Sequence, residues 1–370
     1  MAVGFTQDQE QFREVVGRFF AAKSPVTEVR KLMQEDRGYS RDLWAQMAQE
    51  LGVLGIHYPE EYGGYGFGAV ELGIVAQEMG RYLYCGPYFA SVIMAGYALI
   101  NEGSQAQKER WLPGMAAGSI LAALVLDDLD DVAQVGQKIS WNAQRGLNGT
   151  ADIVLDAHNA DLLIVGAGTE SGVGLFLLPA DDSRVVITRK TSLDETRKLS
   201  QVCFVDAPAT PLGDGHCDLV RLWDQLSTAL AHEMIGGAEH LFNRTLEYLK
   251  MRVQFGRAIG SFQALKHRCA DLLMSLELAR AATHAAARYV AWGDGDAYAA
   301  NMAKAMAGDA YMAIAEQAIQ LRGGIGFTWE DDTHLWFKRA KSSEVFLGSP
   351  NWHREALIQK IEADQELQHA

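Results

Sequence analysis

The sequence predicts an α+β protein in which helices, then strands, then helices follow one another along the chain. Three observations carry this. Apolar residues recur at three- and four-residue intervals up to about residue 118, short runs rich in Val, Leu and Ile replace them between about 121 and 211, and helical spacing returns from about 219. That order divides the chain into a helical domain over 1–120, a β domain over 121–215 and a second helical domain over 216–370.

In the first domain Phe12, Val15, Val16, Phe19 and Phe20 share one helical face, as do Leu43, Met47, Leu51 and Leu54. The stretch Tyr58-Pro-Glu-Glu-Tyr-Gly-Gly-Tyr-Gly-Phe-Gly reads as a loop, and helices resume over 70–79 and 89–100. The β runs are 121–126, 153–155, 162–165, 175–178, 185–187 and 202–205. Gly, Asn and Asp clusters separate them at close intervals, which predicts an antiparallel sandwich or barrel. Gly213-Asp-Gly closes that segment, and helical spacing runs from 219 to 292 and from 296 to 320.

Apolar residues at 48% and charged residues at 22% exclude wholesale disorder. A net charge of −14 argues against a nucleic-acid partner, although helix ends and local arginines can still hold an anionic ligand on an acidic protein. Cys85, Cys203, Cys217 and Cys269 have no metal-ligand spacing, so reduced thiols and no metal site are expected. The start, MAVGFTQDQEQF, lacks a basic and then apolar leader, and no apolar run of about 18 residues occurs. A cytoplasmic protein without a membrane span is the expectation.

The segment Arg252-Val-Gln-Phe-Gly-Arg-Ala-Ile-Gly-Ser-Phe-Gln resembles the R-x-x-F-G-x-x-[IL]-x-x-x-Q stretch of the acyl-CoA dehydrogenase family. Gln320-Leu-Arg-Gly-Gly-Ile-Gly resembles its Q-x-x-G-G-x-G turn. Leu51-Gly-Val-Leu-Gly, Pro59-Glu-Glu-Tyr-Gly-Gly-Tyr-Gly and Trp111-Leu-Pro-Gly-Met-Ala-Ala-Gly are similar to its N-terminal lobe. The resemblance covers essentially the whole chain, with its motifs in order. It implies a helical N-terminal domain, a middle β domain, a C-terminal four-helix bundle, and FAD lying between lobes and reaching a neighbouring subunit. By position it assigns Arg252, Phe255, Gln263, Gln320, Gly323 and Gly324 to the dinucleotide. An arginine fork suits a pyrophosphate, and a Gly-Gly turn lets backbone amides approach it closely. Without those neighbours, Arg252 reads as a solvated surface arginine and the glycines as a plain helix C-terminal turn.

Both base positions depart from the family. Leu347 stands where the family usually carries its catalytic glutamate; a branch of it places its base just before an arginine position, and Leu226 and Ser227 stand at those two places. One other carboxylate stands out. Leu226, Leu230, Glu233, Gly237 and Leu241 fall on one helical face, so Glu233 interrupts an apolar stripe. A buried carboxylate is costly unless it is paired or used. The catalytic reading makes Glu233 the general base; the structural one pairs it with an arginine, a histidine or a helix end. Asp224 and Glu344 are outlying candidates. In the β domain, Leu126-Asp-Asp-Leu-Asp-Asp replaces the family's glycine and hydroxyl donors to the flavin, and reads as a solvated acidic turn.

What the resemblance implies is FAD-dependent α,β-dehydrogenation of an acyl-CoA thioester, with electrons passing to an electron-transferring flavoprotein. The pattern also resembles one member of paired subunits acting on steroid side-chain or other bulky acyl-CoA esters. A homo- or hetero-oligomer, dimer or tetramer, is therefore expected. Two alternatives stay open: a companion subunit that completes a partner's flavin site, and a flavin-dependent monooxygenase on the same fold.

Overall fold

The computed structural model describes residues 4–369, with side chains through residue 363, so Met1–Val3 of the leader reading lie outside the described residues. Six α-helices come first: α1 (Gln7–Lys23), α2 (Val26–Leu32), α3 (Arg41–Gln49), α4 (Ala69–Arg81), α5 (Gly96–Glu102) and α6 (Gln105–Ala116). Thr6 starts α1 with a reciprocal cap, its hydroxyl accepting from Gln9 N while the Gln9 side chain accepts from Thr6 N. Eight strands follow: β1 (Ala122–Val125), β2 (Ile139–Asn142), β3 (Gly146–Leu155), β4 (Leu162–Thr169), β5 (Gly172–Pro179), β6 (Val185–Lys190), β7 (Leu199–Ala207) and β8 (Thr210–Pro211). The chain ends in α7 (Leu219–Met251), α8 (Gln263–Trp292), α9 (Ala299–Arg322), α10 (Thr333–Val345) and α11 (Pro350–His369). Helices, sheet and helices is the α+β order read from the sequence.

The strands form one sheet in the order β6-β7-β3-β2-β4-β5-β8, with β1 beside β4. The sheet is open and mixed, where antiparallel pairing throughout was expected. β1 runs parallel to β4 from Ala122↔Leu162 to Val125↔Val165, and β2 meets β4 in parallel at Ser140↔Gly168. The β2–β3 hairpin lies between β1 and β4 in the chain, which gives the backbone the length a parallel return needs. That hairpin is fixed locally. Asn142 Oδ1 accepts from Gln144 N (3.1 Å) and Arg145 N (2.8 Å), and Gly146 closes the turn at φ 74°. Ile139, Leu147, Leu163, Val165, Phe176 and Val202 pack in the sheet's apolar core.

The described residues form two compact units. One comprises 28–72 and 85–226 and holds the sheet. Within it, Lys198 Nζ donates to Met33 O (2.6 Å), Asn159 Nδ2 donates to Arg37 O (2.9 Å), and Arg189 donates to Asp36 O, fastening the chain after α2 to the sheet. The other comprises the described parts of 1–27, 73–84 and 227–370. There α8, α10 and α11 pack on α9. Half-buried ion pairs tie α4, α7 and α8 together: Arg81 to Glu78 (3.0 Å), Arg81 to Glu239 (2.6 Å) and Arg280 to Glu239 (3.4 Å). Gly80 and Gly236 permit the close crossing, since a Cβ on either would run into the backbone carbonyl of Glu233 or Gln77. No helix among the described residues is long and apolar enough to cross a membrane, and no group of three or more His, Cys, Asp or Glu could hold a metal ion.

Candidate functional site

In the helical unit, α7 ends at Met251 and the chain turns back at once. Strands β9 (Val253–Gln254) and β10 (Arg257–Ala258) pair antiparallel and leave a two-residue turn, Phe255-Gly256. Both turn residues have positive φ, 55° and 77°, as the shortest hairpins require. Glycine adopts that geometry freely; a phenylalanine there costs on the order of 1 kcal/mol or more. The ring gains no burial in return, being 90% exposed. Neither backbone preference nor burial favours phenylalanine here. Phe262 meets Phe255 edge-on with centroids 6.1 Å apart, and the Arg257 guanidinium lies 4.0 Å over the Phe262 ring. α8 begins directly afterwards at Gln263, which is exposed, as is Arg252.

α9 ends at Arg322, where Gly323 turns the chain out with φ 65° into the tight turn Gly323–Phe327. A Cβ added to Gly323 or Gly324 meets no atom within 4 Å, so the space beside both is open. Gln320 is exposed as well. The two segments are joined through α7. Arg322 lies 5.4 Å over the ring of Tyr248, one turn before Arg252, and its Nη1 donates to Thr245 Oγ1 at 3.0 Å. Arg268 Nη1 also donates to Gln317 Oε1 (3.0 Å), tying the start of α8 to the end of α9. The fold thus brings Arg252, Phe255, Gln263, Gln320, Gly323 and Gly324 to one end of this unit, all on its surface.

The charge there opposes that of the molecule. From Arg252 to Ala270 the chain carries four Arg or Lys residues and no Asp or Glu, within a net charge of −14. All four, Arg252, Arg257, Lys266 and Arg268, are exposed. Exposed cations beside an open glycine turn fit the phosphate end of a dinucleotide such as FAD.

Glu233 does interrupt a buried stripe: Leu226, Leu230 and Leu241 are 0% exposed and Glu233 is 7%. Its Oε1 accepts from Arg339 Nη1 of α10 at 2.7 Å, and Arg339 is buried too. The carboxylate's charge is therefore compensated by a buried guanidinium. At the other motif position Leu347 is fully buried with φ 59°. Its carbonyl accepts from His353 Nε2 (2.8 Å), and the Gly348 carbonyl accepts from the buried Lys304 Nζ (2.9 Å). Burial pushes His353 down to about 3, so the ring is neutral, carrying its proton on Nε2 toward Leu347 O and facing Asn301 Nδ2 with Nδ1. Glu344 pairs with Lys341 at 2.5 Å, and Asp224 is half-buried. Sequence reasoning missed Lys304; a lysine within the Ala-rich run of α9 was its only signal.

In the sheet unit, the acidic segment read as a solvated turn proves otherwise at Asp127. That side chain is buried, accepting from Gly136 N (2.7 Å), Lys138 N (2.5 Å) and Ile139 N (2.8 Å). Asp128 Oδ1 accepts from the N–H groups of Asp130 and Asp131, both at 3.0 Å. These carboxylates order the link between β1 and β2 and, as acceptors, give an anionic ligand no donor.

The acyl-CoA dehydrogenase N-terminal domain matches residues 6–119, and the acyl-CoA dehydrogenase C-terminal domain matches residues 225–361. The acyl-CoA dehydrogenase IpdE2 of Mycobacterium tuberculosis is 34% identical over 346 residues, covering 93% of this chain and 94% of that protein. Among solved structures, a chain of the ChsE4–ChsE5 complex from Mycobacterium tuberculosis is 25% identical with a TM-score of 0.88, over 98% of this chain and 99% of that one. Butyryl-CoA dehydrogenase from Megasphaera elsdenii, at 24% identity and a TM-score of 0.87 over 98% and 100%, shares the fold.

Proposed function

The chain belongs to the acyl-CoA dehydrogenase family of oxidoreductases, and from that premise we propose that it performs FAD-dependent α,β-dehydrogenation of an acyl-CoA thioester together with an unlike partner chain. One contrast carries this reading. The surface suited to a dinucleotide is intact, while Leu347 and Leu226 stand at the family's base positions and Glu233 is bound to Arg339. The likeness to a chain of the ChsE4–ChsE5 complex supports a heteromeric assembly.

FAD, when bound, supplies the oxidant that accepts the β-hydrogen as hydride. Arg252 offers its fork to the pyrophosphate, Gln263 and Gln320 offer side-chain amides, and the Gly323–Gly324 turn lets backbone N–H groups approach. Phe255 presents its ring at the same surface. With the Glu233 carboxylate held by Arg339, the α-proton goes to a carboxylate of the partner chain; Glu233 as the base is the rival assignment. Electrons then leave to an electron-transferring flavoprotein, and the setting is the cytoplasm.

Gly324→Val tests this reading. Nothing lies within 4 Å of a Cβ at Gly324, so stability should stay within about 0.5 kcal/mol of wild type. FAD retained by the purified oligomer, and its bleaching by acyl-CoA, should both fall by on the order of tenfold or more, the loss of one charge-assisted contact. A folded variant that keeps its flavin and bleaches normally would remove this turn from the site.

A further inference from the structure

The segment from Gly323 to Glu330 is mostly exposed: Ile325 is 47%, Phe327 83% and Trp329 64% accessible, and its two leading glycines touch nothing on their Cβ side. Gly326 is buried, and the Trp329 ring meets His334 (4.7 Å) and Lys338 (4.7 Å), but the exposed, glycine-led start of the stretch has little packing of its own to fix one shape. Its base, however, is stapled. Arg322, directly before Gly323, pairs through Nε with Asp331 at 3.3 Å, the two side chains being 3% and 15% exposed. The next residue, Asp332, pairs with Arg244 Nη2 at 3.5 Å. Both arginines are anchored in turn. Arg322 Nη1 donates to Thr245 Oγ1 and to Ala318 O, each at 3.0 Å, while Arg244 lies 5.1 Å over the Trp336 ring. Asp331 Oδ1 also accepts from Thr333 N at 2.7 Å, starting α10. Burial opposes ionisation of Asp331, but the bonds from Thr333 and the charges of Arg322 and Arg244 outweigh it and hold the carboxyl below its usual range.

We propose that Asp331 and Asp332 are positioning residues for the Gly323–Gly324 turn, their pairs with Arg322 and Arg244 locking the base of this exposed segment onto α7. The proposal rests on the flavin reading above and deepens it. Neither aspartate touches the nucleotide. Each spares the ligand the ordering of a loose segment, a cost otherwise met on binding. Asp331 carries more of the effect, because its pair is the better buried and less screened of the two.

The test uses the full chain with its partner. Asp331→Asn keeps the acceptor for Thr333 N–H and the side-chain size while removing the charge; Asp331→Asn with Asp332→Asn removes both. In flavin-free protein, amide hydrogen exchange over 323–330 should accelerate about tenfold or more in the double variant, with α7 and α9 exchanging as in wild type. The FAD dissociation constant should rise by about the same factor, and Asp331→Glu, which keeps a charge opposite Arg322, should recover part of it. Unchanged exchange over the segment would overturn the proposal, as would a lower melting temperature with unaltered FAD affinity. Accelerated exchange in a protein whose wild type binds no FAD would support the staple and overturn the flavin reading, so the two failures are distinguishable.

Discussion

Glu233→Gln should destabilise the helical unit by about 3 kcal/mol or more, and Glu233→Gln combined with Arg339→Met should return most of that loss. Both side chains are buried, and Arg339 Nη1 lies 2.7 Å from Glu233 Oε1. The single variant leaves a guanidinium without its counter-charge in a poorly solvated place. The double variant removes the charge altogether and fills the space with an apolar chain, which buried pairs often tolerate. Urea unfolding of wild type, Glu233→Gln, Arg339→Met and the double variant reads the coupling directly. If Glu233 were instead the general base, Glu233→Gln would keep its unfolding midpoint while flavin reduction by acyl-CoA fell about 100-fold. That combination would return Glu233 to the mechanism and remove the need for a partner's carboxylate.

Asp156→Asn should stabilise the sheet unit, and only at the alkaline end. Asp156 ends β3 with φ 50°, is buried, and has one weak side-chain partner, Asn159 Nδ2 at 3.5 Å. Burial raises its pKa to about 7, against the opposing influence of Asn159 and of Arg189, Lys198 and Arg197. Two of those cations are engaged elsewhere, Lys198 on Met33 O and Arg189 on Asp36 O, which explains why burial prevails. The folded state therefore keeps a proton that the unfolded chain releases near pH 3.8. The stability this provides is complete below about pH 4 and is lost as pH rises through about 7; a gap of roughly three units corresponds to at most ~4 kcal/mol. Asparagine resembles the protonated form and accepts positive φ. The variant should gain roughly 2–4 kcal/mol near pH 8 and almost nothing near pH 4. Equal gains at both would show that the carboxylate does not titrate in this range.

The sequence carried the helix–sheet–helix order because periodicity is local, and it carried the Arg252 and Gly323 motifs because turns impose residue types at fixed spacing. It also picked out Glu233, since a carboxylate in an apolar stripe is visible without coordinates. Its partner was not visible: Arg339 lies 106 residues away, and no local pattern links α7 to α10. The acidic run at 126–131 was misjudged for the same reason. Asp127 is buried because N–H groups of 136–139 arrive from beyond the turn to satisfy it. The parallel β1–β4 pairing likewise depends on where the chain returns, and β2, Ile-Ser-Trp-Asn, lacks the Val, Leu and Ile run that marked the other strands.

The visible spectrum and native mass of this chain, expressed alone and with an unlike family member, decide most directly whether a flavin cradle here needs a second kind of subunit. Alone, the chain should be colourless or hold flavin that acyl-CoA does not bleach. With its partner it should form a heteromeric complex whose flavin bleaches on addition of acyl-CoA. A yellow homo-oligomer of this chain alone that bleaches with acyl-CoA would contradict that assignment.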